Sequence, residues 1–305
     1  MSEKRSPVRS LPDEPAGETA SETVDVEPGG AMPLIAVRDL RVEATADGRP
    51  LVDGVSFDVA RGEAVGIVGE SGSGKSLTLR AIMGLPPEGV RITDPAAVTT
   101  PSAQPRLAMI FQDPVASLDP LCGVVRQVAE VMRCHEEAPG HTGSGLIGRL
   151  GLGRRFSPNA RRESHRRAAD LLVSLGLPES LREHDRYPGQ LSGGQCQRVG
   201  IAIALAVQPD ILLCDEPTTA LDVTVQRQIL DLLARLRGEL GLTMLFVTHN
   251  LGVAAHLCDR LIVMHQGRIV ETGPTERILA DPRDDYTKRL IDAILPIPAE
   301  GKDPR

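Results

Sequence analysis

Residues Gly69-Glu70-Ser71-Gly72-Ser73-Gly74-Lys75-Ser76 read G-x-x-x-x-G-K-S, and their flanks leave few folds open to the chain. Ala64-Val65-Gly66-Ile67-Val68 precedes them as a short apolar run of the buried-strand type. Leu77 to Met83 follows with helical periodicity and stops at Gly84. Glycines let such a loop wrap closely, so that successive backbone N–H groups point inward at a polyphosphate. The helix that follows aims its positive end at the same anion. In that arrangement Lys75 reaches the β- and γ-phosphates, and the Ser76 hydroxyl is a ligand for Mg²⁺. Gly69, Glu70, Ser71, Gly72, Ser73, Gly74, Lys75, Ser76 and Leu77 are therefore expected to hold a nucleoside triphosphate.

Composition narrows the rest. A chain of 305 residues has room for one large α/β domain with a small insert, or for two modest domains. Its net charge of −7 argues against nucleic acid as a partner, which would call for a basic groove. The five cysteines are scattered without a C-x-x-C pair, which predicts a reducing compartment and neither a disulfide framework nor a zinc site. No apolar run approaches the ~18–20 residues that span a bilayer, and the polar start from Met1 has no signal-peptide core.

Residues 1–32 are rich in Pro, Glu, Ser, Gly and Thr and predict a disordered tail. Order is expected from Leu34. Leu51 to Val59 alternates apolar and polar residues, the period of a half-buried strand, which predicts an antiparallel layer beside a parallel core. The signal is weak from 86 to 105 and resumes at the apolar strand Leu107–Phe111. Residues 121 to about 206 read mostly helical, interrupted by an exposed Gly-, Arg- and Ser-rich insertion over 138–163. Then Ile211–Asp215 and Thr243–Val247 read as buried strands, with a helix over Val223–Leu240 between them. Leu261–Met264 and Arg268–Val270 read as a hairpin. Strands alternating with helices predict a mainly parallel sheet with its ligand at the carboxyl edge.

Polar residues cluster at that edge. Asp215 and Glu216 close an apolar strand in the position of a Walker B motif. Asp215 is placed to hold Mg²⁺ and Glu216 to polarise a water in line with the γ-phosphate. Gln112, after another strand, has an amide oxygen for Mg²⁺ or the attacking water, and His249 ends a third strand within reach of the γ-phosphate. Read singly, Gln112 fits better as a solvated strand end and His249 as a satisfied structural histidine. Leu191-Ser192-Gly193-Gly194-Gln195 places a hydroxyl and two glycines at a helix start, a second phosphate-type element. Taken alone it is better read as a glycine turn with a Ser cap. Two such elements on one chain suggest that the second completes a neighbour's site.

GESGSGKS, Gln112, LSGGQ, ILLCDEP, TTALD and His249, in that order, resemble the ATP-binding-cassette ATPases over roughly residues 34–275. The resemblance implies a RecA-like phosphate-loop core with an antiparallel β subdomain and an inserted α-helical subdomain (about 113–206). The domain would span 33–275, with 276–305 a short extension. It implies ATP and Mg²⁺ as ligands, Glu216 as catalytic base, His249 as switch residue, and Ser76, Gln112 and Asp215 around the metal. A head-to-tail dimer is implied, in which Ser192, Gly193, Gly194 and Gln195 cap the triphosphate on the partner's Lys75 loop and Asp222 crosses the interface. Phe111-Gln112-Asp113-Pro114, Ser117-Leu118-Asp119-Pro120, Tyr187-Pro188 and Asp285-Tyr286-Thr287-Lys288-Arg289-Leu290 are similar to the dipeptide, oligopeptide and nickel importer ATPases. That implies a peripheral subunit on the cytoplasmic face of the membrane, driving import of peptides. Its partners would be two permease subunits, a second ATPase (a copy or a paralogue) and, indirectly, an extracytoplasmic solute-binding protein. The resemblance extends to cassette-like subunits of soluble phosphonate-degrading complexes, a non-transport alternative.

Three departures from the family pattern stand out. No aromatic residue precedes Phe57, where a ring would stack on adenine. Cys196 replaces a basic residue after LSGGQ, a change expected to weaken contact with the partner's nucleotide. No cysteine follows Cys258, so no iron–sulfur cluster is expected.

Overall fold

The apolar run before the glycine loop forms β3 (Ala64–Val68), buried at every position and central to a six-stranded sheet. The computed structural model describes residues 33–100, 105–136, 158–219 and 221–293. Flanking β3 are β8 (Thr243–Thr248) on one side and β9 (Arg260–His265) on the other, both parallel to it. Beyond β8 lie β7 (Ile211–Asp215) and then β6 (Leu107–Ile110), again parallel. Only β10 (Arg268–Pro274) is antiparallel, as the return strand of the hairpin from β9. β7 and β8 are buried along their whole length, as parallel strands covered on both faces must be.

Register decides where the chemistry falls. Val68 pairs with Thr248, Asp215 with Val247 and Ile110 with Cys214. The carboxyl ends of four strands thus finish level, and Gly69, Gln112, Glu216 and His249 leave the sheet on the same edge.

Side-chain alternation splits the core in two. Val65, Ile67, Leu213, Leu245 and Val247 face a layer made by helix α1 (Lys75–Met83) and an antiparallel sheet. That sheet pairs β1 (Ile35–Ala44) with β2 (Pro50–Val59), β4 (Val90–Ile92) and β5 (Val98–Thr99). The last two occupy the stretch where sequence periodicity is weak. They are three and two residues long, too short to show a period.

Ala64, Val68, Leu212, Cys214, Met244 and Phe246 face the opposite, helical layer. It contains α2 (Val124–Glu136), α3 (Pro158–Ser174), α4 (Gly193–Ala206), α5 (Val223–Leu240) and α6 (Leu251–Leu257). α5 has the bounds its amphipathic pattern predicts. α3 begins inside the segment expected to be an exposed insertion, so 158–163 are helical. The remainder of that segment, like the expected tail over 1–32, lies outside the described residues.

The boundary expected at 275/276 separates nothing in the described chain. Thr275 opens α7 (Thr275–Ala280), and α8 (Asp285–Asp292) follows; Ile278 and Tyr286 belong to the same buried cluster as the helical layer. Among the described residues, no helix is long and apolar enough to cross a membrane.

Candidate functional site

The loop from β3 to α1 is shaped by backbone that tolerates no side chain. Gly69 has φ +151°, and a Cβ there would lie 2.2 Å from the Met264 carbonyl oxygen. Gly74, φ +99°, is the residue on which α1 starts, and no side chain caps that start. The first-turn N–H groups of α1 are thus open toward the loop, the arrangement that binds anions. The helix begins at Lys75, two residues earlier than its periodicity indicates, so Lys75, Ser76 and Leu77 all stand on its first turn.

Lys75 is 4% exposed. Its ammonium donates to the carbonyl oxygens of Gly69 (2.9 Å) and Glu70 (2.8 Å). Burial pushes its pKa down, opposed by the charges of Glu216, Asp215 and Glu70. Ser76 Oγ donates at 2.5 Å to Asp215 Oδ1, and Arg80 Nε lies 3.9 Å from the other carboxylate oxygen. Asp215 is 1% exposed, and burial raises its pKa despite the Ser76 hydrogen bond and the Arg80 charge.

Glu216 follows Asp215 directly yet points elsewhere. Its φ of +46° turns the chain left-handed at the strand end, and its N–H donates to the Val247 carbonyl. A non-glycine residue held there costs of order 1–3 kcal/mol and persists only where its surroundings over-determine it. The Glu216 carboxylate gathers three partners on Oε2: Thr219 Oγ1 (2.9 Å), His249 Nδ1 (3.1 Å) and Gln112 Nε2 (3.4 Å).

Ser71, Gly72, Gly74, Lys75, Ser76, Leu77, Gln112 and Glu216 line one cleft of about 280 Å³. Gly69, Glu70 and Ser73 shape the loop from behind, Asp215 lies beneath Ser76, and His249 reaches the cleft through Glu216. A hydroxyl, a buried carboxylate and an amide oxygen are the hard oxygen donors that suit Mg²⁺.

Ser192, Gly193, Gly194 and Gln195 are not among the residues lining this cleft. Ser192 caps α4, accepting from the Gln195 N–H, while the Gln195 side chain accepts from the Ser192 N–H. Asp222 caps α5 by accepting from the Val225 N–H. The two caps are neighbours: a Cβ on Gly194 would lie 2.5 Å from Val225, and one on Gly193 would lie 3.6 Å from Leu221. Ser192, Gly193 and Asp222 are exposed. The expected residues therefore form two groups, the phosphate loop with the strand ends, and the two helix starts.

The expectation for Cys196 is corrected by its position. It is 1% exposed, packed in the helical core with Sγ 3.6 Å from the Pro188 carbonyl, so it does not face outward toward a partner. Phe57 is likewise in the core, 5% exposed. Thr219, Arg80 and Tyr286 touch the site without having been singled out for it. Thr219 stands inside the TTALD stretch and Tyr286 inside DYTKRL, both visible in the sequence, but nothing local in either indicates which residue it meets.

The ABC transporter family model matches residues 52–219, from β2 through the Glu216 turn. The peptidoglycan transport ATP-binding protein YejF of Agrobacterium fabrum is 40% identical over 299 residues, covering 89% of this chain and 51% of that protein. This chain thus spans about half the length of that relative. The oligopeptide transport ATP-binding protein AmiE of Streptococcus pneumoniae is 39% identical over 285 residues, 88% of this chain and 74% of that one. Among solved structures, the dimeric ATP-binding cassette MJ0796 in a post-hydrolysis state bound to ADP and Pi aligns with a TM-score of 0.58. Identity there is 28%, over 79% of this chain and 98% of that one. With phosphate loop, strand-end carboxylates and LSGGQ helix on one such fold, the chain belongs to the ABC transporter family.

Proposed function

We propose that this chain is the ATP-hydrolysing subunit of an importer, most specifically one for peptides, working as a dimer of cassettes beneath two membrane subunits. The observation behind the catalytic part is the cleft at the sheet edge. There the Lys75 ammonium, the uncapped start of α1 and the Glu216 carboxylate face one space. The peptide assignment rests on the oligopeptide transport relative and on the DYTKRL and Tyr187-Pro188 stretches.

In this reading the loop N–H groups and Lys75 bind the β- and γ-phosphates, and desolvation of the ammonium makes an arriving anion a strong partner. Ser76 and Asp215 would hold Mg²⁺, with Gln112 completing the set; bound there, the ion neutralises charge on the β- and γ-oxygens. Glu216 orients the water that attacks the γ-phosphate and accepts its proton. His249 and Thr219 fix the Glu216 carboxylate so that one oxygen remains directed at that water. Ser192, Gly193, Gly194 and Gln195 of a second cassette close the site from the other side, with Asp222 beside them. The chain works as a peripheral subunit on the cytoplasmic face.

The test is a pull-down from solubilised membranes with tagged Glu216→Gln, ATP and Mg²⁺, read by mass spectrometry. Two polytopic membrane subunits, with this chain or a second cassette ATPase, are expected. Recovery of soluble enzymes alone overturns the transport assignment and leaves the ATPase chemistry in place.

A further inference from the structure

The DYTKRL stretch touches the site through its tyrosine, which reaches the phosphate loop and has so far been given no role there. Tyr286 is 6% exposed, and its hydroxyl oxygen accepts a hydrogen bond from the Glu70 N–H at 3.0 Å. That N–H belongs to the Gly69–Glu70 peptide, whose carbonyl oxygen, on Gly69, accepts from Lys75 Nζ at 2.9 Å. One peptide plane is therefore held at both ends, by Tyr286 through its N–H and by Lys75 through its C=O. We infer that Tyr286 is a positioning residue for nucleotide binding, setting the Lys75 ammonium through the Gly69–Glu70 peptide.

The tyrosine is placed well enough to do this. Its ring stacks on His265 at the end of β9, with centroids 3.9 Å apart and planes 30° from parallel. The first turn of α8 is capped by Asp284, which accepts from the N–H groups of Tyr286 (2.8 Å) and Thr287 (3.3 Å). The residues before it are tied to Glu271 on β10, whose carboxylate accepts from the N–H groups of Arg283 and Asp284 and from Arg277. The β9–β10 turn also grips the loop directly, since the Gly267 N–H donates to the Ser73 carbonyl at 3.1 Å. The tyrosine thus stands on strands of the same sheet that carries the loop.

Two physical effects follow. An acceptor on a peptide N–H polarises the peptide and strengthens its carbonyl as an acceptor, so the Tyr286 contact tightens the grip on Lys75. It also fixes the orientation of the Gly69–Glu70 plane before a ligand arrives, so less ordering remains to be done on binding. Neither effect touches the attacking water or Glu216. The contact should act on affinity and leave the chemical step alone.

This inference rests on Gly69–Leu77 being the triphosphate loop. Tyr286→Phe keeps the ring and its stack and removes one oxygen. In the full chain, Mg–ATP affinity by titration calorimetry is expected to weaken about three- to tenfold, the equivalent of one net hydrogen bond. KM for ATP should rise in step, with kcat at saturating ATP unchanged and amide exchange at Glu70 faster in the ligand-free chain. Asp284→Ala, which loosens the first turn of α8 and retains the hydroxyl, should shift affinity in the same direction. Wild-type affinity in Tyr286→Phe, or a loss confined to kcat or to thermal stability, overturns the inference while the loop reading stands. Failure of the wild-type chain to bind Mg–ATP overturns both.

Discussion

Asp215 and Glu216 are adjacent carboxylates with opposite surroundings, and the left-handed turn between them is what sets them apart. Glu216 faces the cleft, so in the proposed role its charge and shape both matter to the water it would orient. Glu216→Gln keeps the shape and loses the base. Turnover should fall by at least about a hundredfold, the usual contribution of a positioned general base, with Mg–ATP affinity held; unchanged turnover removes Glu216 from that role. Asp215 is a different case, because burial raises its pKa above the unfolded value. The folded state therefore binds that proton more tightly than the unfolded chain does. Its contribution to stability is present at low pH and lost as pH rises through the folded pKa. Asp215→Asn removes the buried charge and retains an acceptor for Ser76. It should raise the melting temperature of the ligand-free chain at pH 7 by about 2–4 °C, as ~1 kcal/mol does in a domain of this size, while impairing turnover. The gain should shrink as pH falls; a lower melting temperature at pH 7 contradicts it. The pair of carboxylates is plain in the sequence. Their divergence is not, because a single positive φ at a non-glycine residue leaves no mark in composition or periodicity.

At the scale of elements, α8 depends on a carboxylate from another strand. Glu271 is 7% exposed on β10 and holds Arg277 and the N–H groups of Arg283 and Asp284. Burial raises its pKa, but the hydrogen bonds from Arg277 and from those N–H groups outweigh this and leave it below the usual carboxylate range. Its stabilisation is therefore full above the unfolded pKa and lost as pH falls through the lower folded value. Glu271→Ala takes away the carboxylate paired with Arg277, which keeps its bond to the Thr272 carbonyl, and leaves two N–H groups without an acceptor. It should cost about 2–3 kcal/mol in chemical denaturation at pH 7, and less near pH 3; a cost under ~0.5 kcal/mol contradicts the assignment. The parallel strands and α5 were legible because their residues repeat with the period of the element they form. The link from Glu70 to Tyr286 joins residues far apart in sequence and repeats nothing. β4 and β5 were too short to show a period. Cys196, which its place after LSGGQ puts next to the partner's nucleotide, points inward because α4 begins at Gly193, which fixes the face each later residue takes.

The whole molecule presents two anion-type elements that do not share a cleft. The start of α1 opens into the Lys75 pocket, whereas the starts of α4 and α5 lie side by side with Ser192 and Asp222 exposed. Val223, next to Asp222, is an apolar side chain 83% exposed. Among the described residues the second pair does not line the phosphate-loop cleft, whereas two chains placed head to tail would give each phosphate loop the other's helix starts. If that is the assembly, triphosphate is part of the interface, and dimerisation should require it and be strongest where hydrolysis is blocked. In sedimentation velocity, Glu216→Gln should run as a monomer without nucleotide and as a dimer with ATP, if the chain pairs with its own copy. Adding Ser192→Arg places a bulky cation where the partner's triphosphate would be approached through a narrow glycine-lined start. It should abolish the ATP-dependent dimer while leaving ATP binding to the monomer within about twofold of the single variant, since sites without shared partners act additively. A dimer that persists in the double variant would place the contact elsewhere on the surface. A monomer at every ATP concentration in Glu216→Gln would mean that the second cassette is a different chain, which mixing with the paralogue recovered from membranes would then restore.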